Sequence, residues 1–118
     1  MKALLLVAHG SRRAQSNDEV HVLAKKLRQF CSEQYPIIEA AFLELADPLI
    51  PDGIQKCVEQ GACEVKVLPY FLNSGRHVVE DIPGIVEVAR PDYPDVCIHV
   101  TPHLGGSELM MQLLVEVD

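Results

Sequence analysis

Apolar positions in this chain fall into short unbroken runs, separated by longer stretches in which they recur every three or four residues. Residues 3–8 read ALLLVA, a continuous run of the kind expected of a strand covered on both faces. IIEAAFL (37–43), CEVKVLPYF (63–71) and VCIHV (96–100) are three further strand candidates. After the first run, Val20, Leu23, Leu27, Phe30 and Cys31 have helical spacing, and Ser16-Asn17-Asp18-Glu19 ahead of them has the S-x-x-E form of a capping box. Ile50, Ile54, Cys57 and Val58 predict a second helix, with Asp47 as its N-cap, Pro48 at its first position and Gly61 as its stop. Pro51 falls in its first turn. A third helix starts near Asp81-Ile82-Pro83 and buries Ile82, Ile85, Val86 and Ala89. GGSELMMQLLVEV closes the chain as a fourth, with Ser107 as its cap.

The order βαβαβαβα implies a parallel sheet with helices on both faces. The expected fold is α/β, a flavodoxin-like doubly wound sheet of four strands in the order 2-1-3-4. The chain then reverses direction between strands 1 and 3, and ligands of such folds bind outside the carboxyl ends of the strands at that point. His9 follows the first strand directly, Glu44 follows the second, and His77 lies in the loop after the third. Topology therefore gathers two imidazoles and a carboxylate at one sheet edge. Singly, each is an ordinary loop or capping residue. Jointly, they suit a borderline divalent metal such as Co2+, Fe2+, Ni2+ or Zn2+, with positions left open for substrate. A hydrolytic zinc site and a site that hands its metal on both satisfy this set.

A length of 118 residues suits one domain, residues 1–118. The 48% hydrophobic and 23% charged content is that of a folded globular chain. No apolar run approaches the ~20 residues that span a bilayer, and the N-terminus lacks a signal-peptide pattern, so a cytoplasmic protein without membrane contact is expected. Cys31, Cys57, Cys63 and Cys97 form no C-x-x-C pair and are expected as reduced, half-buried core thiols. The net charge of −7 argues against nucleic-acid binding. Against that acidic background, Arg12, Arg13 and Arg76 sit in the two loops that carry His9 and His77, a local positive field suited to carboxylates or phosphates. Other chemistries lack their residues. Ala8 stands where a histidine phosphatase places Arg, the first loop is basic where a receiver domain is acidic, and G-x-S-x-G, G-x-G-x-x-G and P-loop motifs are absent.

LLLVAHGSRR, AFLELADP and LPYFLNSGRHVVEDIP resemble the three signature stretches of the short-form sirohydrochlorin cobaltochelatases, which belong to the class II chelatases. The resemblance runs from about residue 3 to about residue 105, and H-G-S-R with G-R-H-x-x-x-D-I-P is specific in combination. It implies a chelatase-like half-unit. Longer relatives hold two such units in one chain with the tetrapyrrole between them, so a homodimer is implied here. The implied reaction inserts Co2+ into sirohydrochlorin in the anaerobic route to cobalamin, with Fe2+ or Ni2+ as alternative metals and a non-catalytic tetrapyrrole or metal carrier as an alternative role. The metal is a substrate, and no tightly bound cofactor is implied. On the family pattern His9 and His77 are the catalytic, metal-site histidines and Glu44 is the carboxylate ligand. Ser11, Arg12, Arg13 and Arg76 fall to the substrate carboxylates, and Glu80, one turn from His77, is a further carry-over. Insertion removes two pyrrole protons and strips water from the metal. A neutral imidazole takes up a proton near neutral pH, and a closed four-ligand cage would not release the ion. Of the other histidines, His103 follows the fourth strand at the same edge and is a candidate for metal delivery. His21 is expected at the surface of the first helix, and His99 in a local hydrogen bond within the fourth strand.

Overall fold

In a computed structural model, which describes residues 1–118 apart from the side chains of His77 and Val79, the first apolar run becomes strand β1 (Lys2–Ala8), with every residue from Ala3 to Ala8 buried. A strand buried on both faces needs a neighbour on each side and a layer above and below. Strand β2 (Ile37–Phe42) pairs with it in parallel on one side, Leu5 opposite Glu39, and β3 (Glu64–Pro69) on the other, Leu5 opposite Val67. Strand β4 (Cys97–Val100) pairs with β3 at the edge, which gives the parallel order 2-1-3-4.

Helices α2 (Ile50–Glu59) and α3 (Ile82–Ala89) cover one face. Ile50, Ile54 and Ile82 pack there with Leu5, Val7 and Val67. Helix α1 (Ala14–Cys31) covers the other face through Ala24, Val20 and Leu27, against Leu4, Ile38 and Ala40. Helix α4 (Leu109–Glu116) buries none of its residues. Among the described residues, no helix is long and apolar enough to cross a membrane.

Local signals misplace two helix starts. Ser16-Asn17-Asp18-Glu19 lies inside α1, which begins at Ala14 after Arg13 and has no side-chain cap; Asn17 is engaged by Ser11 instead. Helix α2 begins at Ile50 with Leu49 as its cap and Pro51 in its first turn, so neither Asp47 nor Pro48 has the predicted place. Gly61, at φ +106°, does end that helix. Ser107 accepts a hydrogen bond from the Leu109 N–H at 3.3 Å, one residue ahead of the Glu108 cap. All four cysteines are free thiols, but only Cys57 is buried and Cys31 half-buried; Cys63 and Cys97 are exposed, against the core placement expected. They stand at the start of β3 and β4, where the sheet edge meets solvent. Burial pushes the Cys57 thiol up to about 12.

Gly53 lets α2 lie directly on the sheet: a Cβ there would stand 2.8 Å from the Ala41 Cβ and 3.0 Å from a Leu5 methyl. Gly53→Val overpacks this contact and lowers unfolding free energy by about 1–3 kcal/mol, read as a lower urea midpoint at unchanged m-value.

Candidate functional site

The pairing of β1 with β2 continues past the ends of both strands. The Leu43 N–H donates to the Ala8 carbonyl at 3.0 Å, and the Glu44 N–H to the His9 carbonyl at 3.1 Å. His9 and Glu44 therefore leave the sheet side by side, with His9 Nε2 3.5 Å from Glu44 Oε1. Gly10 makes the approach feasible. It has φ +95°, and a Cβ there would overlap the Glu44 carbonyl oxygen. Leu45, at φ +65°, turns the chain away just beyond. The imidazole is 46% and the carboxylate 58% exposed, and a pair that open to water adds only about 0–1 kcal/mol to stability. The fold does not depend on it.

His9 and Glu44 line a concavity of about 370 Å3 with Leu43, Glu80, Asp81 and Ile85. The chain reaches this point from β3 through a single π-helical turn, His77–Asp81, which runs into α3. Such turns recur at functional sites. The concavity is lined by three carboxylates and one imidazole. Among the described residues, no three His, Cys, Asp or Glu side chains form a group able to hold a metal ion. The His77 side chain lies outside the described residues.

The expected basic residues stand elsewhere. Arg12 and Arg13 are exposed on the turn into α1, and the Arg13 guanidinium donates to Gln15 at 2.9 Å. Arg76 pairs with Glu80 at 3.8 Å, 82% exposed. None of the three lines the concavity with His9. The Ser11 hydroxyl accepts the Arg13 N–H at 3.0 Å and so shapes the turn. His103 lines a different groove, of about 550 Å3, with His99, Thr101, Glu87 and Arg90. His21 is exposed, its Nε2 3.3 Å from the Asp47 carbonyl oxygen and its ring edge-on to Phe42.

Two residues escaped sequence reading. Asp81 lines the concavity, although its place before Ile82-Pro83 reads as a helix start. Asn17 clips the first loop from both sides: the Ser11 N–H donates to its Oδ1 at 2.9 Å, and its Nδ2 donates to the Ser11 carbonyl at 2.7 Å. The S-x-x-E pattern gave roles to Ser16 and Glu19 and none to Asn17, so this role went unread.

A family model described as CbiX matches residues 3–117. The chain is similar to the chloroplastic sirohydrochlorin ferrochelatase of Arabidopsis thaliana, 37% identical over 111 residues that cover 94% of this chain and 48% of the relative. It is similar to the sirohydrochlorin cobaltochelatase of Methanocaldococcus jannaschii, 40% identical over 90 residues that cover 74% of this chain and 62% of the relative. Among solved structures it superposes on SirB from Bacillus subtilis with Fe3+, with a TM-score of 0.83 and 29% identity, covering 99% of this chain and 48% of that one. The chain thus spans about half the length of the plant relative and of SirB.

Asn17→Ala removes both bonds to Ser11 and costs about 1–3 kcal/mol locally. Amide hydrogen exchange at Ser11 is expected to accelerate by about tenfold or more, with exchange in β1 unchanged.

Proposed function

The chain belongs to the CbiX family, and from that premise we propose that it is a sirohydrochlorin chelatase of the cytoplasm, inserting Co2+ into the macrocycle. The observation that carries this reading is the exposed His9–Glu44 pair at the point where strand order reverses, with Glu80 and Asp81 lining the same concavity. The carboxylates draw in a divalent ion and replace part of its water shell. His9, with His77 assigned beside it by the family pattern, holds the ion through a ligand that releases it. As the ion passes into the ring, two pyrrole protons leave; the imidazole, freed of the ion, accepts one, and a carboxylate of the concavity or solvent accepts the other. The open positions of such a site let the macrocycle nitrogens take over as ligands.

Charge is divided to match. The concavity is acidic and suits the cation; Ser11, Arg12, Arg13 and Arg76 lie around it on exposed loops and suit a polycarboxylate ring through charge-assisted hydrogen bonds. Glu80 faces both the concavity and Arg76, and His103 in its neighbouring groove is assigned a delivery role.

A concavity of about 370 Å3 lies near the lower end of small-ligand pockets, so something else must cover the second face of a tetrapyrrole. We assign that part to a second copy, each chain being one α/β unit over residues 1–118. Iron is the second reading, because a relative called a ferrochelatase matches at comparable identity and the donor set does not rank these metals.

Anaerobic absorbance of sirohydrochlorin mixed with Co2+, Fe2+ or Ni2+ tests the proposal. Conversion is expected fastest with Co2+, and His9→Ala or Glu44→Gln should slow it by about 10²–10⁴-fold. Faster conversion with Fe2+ selects the iron reading. A bound but unconverted spectrum replaces the enzyme with a carrier, and an unchanged spectrum points back to a metal-dependent hydrolase. In the same assay Arg12→Ala and Arg13→Ala should raise KM for sirohydrochlorin several-fold with kcat nearly unchanged, the signature of lost uniform binding.

A further inference from the structure

Leu45 breaks two local rules at once. Among the described residues it is the one non-glycine residue with a positive φ, at +65°, and a bulky side chain in that region strains the backbone. It is also 53% exposed. A scattered exposed leucine is ordinary on its own. A leucine that is strained as well as exposed is not, because no burial offsets the strain. Asn, Asp or Gly would take this left-handed turn with less strain.

Loop closure fixes the backbone here but not the choice of side chain. Backbone bonds tie Leu43 and Glu44 to Ala8 and His9. The Phe42 N–H donates to the Pro48 carbonyl at 2.9 Å, and Leu49 bridges to Phe42. The chain thus leaves β2 and returns to its end within a few residues, which demands a reversal straight after Glu44. Any residue that adopts a positive φ completes it. The same loop ends on Leu49, the N-cap of α2, which is 40% exposed and makes no side-chain cap bond. Ser, Thr, Asp and Asn are preferred at that position. Local backbone chemistry therefore favours polar or small residues at two places in this loop, and leucine stands at both.

We propose that Leu45 is a substrate-contacting residue whose side chain packs against the apolar face of the macrocycle. The inference rests on the chelatase reading above. An ion passing from the His9–Glu44 pair into the ring requires the centre of the ring to come over that pair. The concavity of about 370 Å3 does not enclose a tetrapyrrole, so the ring rests on the residues immediately around it. The Leu45 Cα is ~3.8 Å from that of Glu44, inside the half-width of four linked pyrroles. Leu45 therefore lies under the conjugated body of the ring, which is apolar, whereas the ring's carboxylates stand at its perimeter. A polar residue at this position would relax the turn but would set an unpaired polar group against that face. Exposure and strain in the free chain then have one explanation, a surface that the ring completes.

The test is an absorbance titration of sirohydrochlorin, without metal, into wild type, Leu45→Gly, Leu45→Asn and Leu45→Met, with Co2+ calorimetry and urea unfolding run on each. Leu45→Gly and Leu45→Asn are expected to weaken ring binding about three- to tenfold, the loss of one apolar contact. Their Co2+ affinity should be unchanged, and their urea midpoints the same or higher as strain is relieved. Leu45→Met keeps an apolar side chain and is expected within about twofold of wild type. Phe30→Ser, at a residue 87% exposed near the far end of α1, should leave ring binding unchanged. Undiminished ring binding in both the Gly and Asn variants overturns the inference and leaves the chelatase reading in place. Lower urea midpoints with weaker Co2+ binding would make Leu45 a structural support of Glu44, and overturn it as well. A wild type that does not bind the ring overturns both readings.

Discussion

Ala3–Ala8 has no face turned to water, so β1 must be flanked by strands on both sides and covered above and below. Right-handed crossovers then leave one arrangement, with α1 on one face and α2 with α3 on the other. The strand order reverses at β1, and the loops after β1 and β2 open beside each other. His9 is the first residue to escape burial at that edge, and the backbone bond from Glu44 to the His9 carbonyl brings the carboxylate out with it. The pair is a consequence of sheet register, held in place by a glycine that admits no side chain.

The same edge separates charge in a way that net charge conceals. A chain at −7 repels a polycarboxylate at a distance, but salt screens that repulsion beyond about 8 Å. Within that range the arrangement of loops matters more than the total. Glu44, Glu80 and Asp81 line the concavity, whereas Arg12 and Arg13 are exposed on the loop after His9 and Arg76 pairs with Glu80. In the proposed reaction a cation and an anionic ring would meet their partners at neighbouring positions, with the His9 imidazole as the proposed proton acceptor.

Residues 70–81 join two surfaces of the molecule: Tyr70 and Leu72 line the apolar groove beside α4, while Glu80 and Asp81 line the concavity.

Hydrophobic periodicity alone determined the element order, the parallel sheet and the order 2-1-3-4, because burial on two faces writes itself as an unbroken apolar run and handedness removes the other topologies. The strand order it predicted also brought His9 and Glu44 to one sheet edge, where they stand 3.5 Å apart. Tertiary structure decided what depends on distances between loops. Asn17 clips the first loop because Ser11 comes within reach of its amide, and Asp81 lines the concavity at the end of the π-helical turn that precedes α3. Arg12 and Arg13 are exposed and absent from the lining of the concavity, and Arg76 meets it only through Glu80. The periodic apolar pattern of α4 reads like that of any core helix, and only the fold shows that its own sheet leaves it uncovered. A pattern records that a face is apolar; which surface covers it is set by where the chain is clamped, here at Gly105 against Leu72.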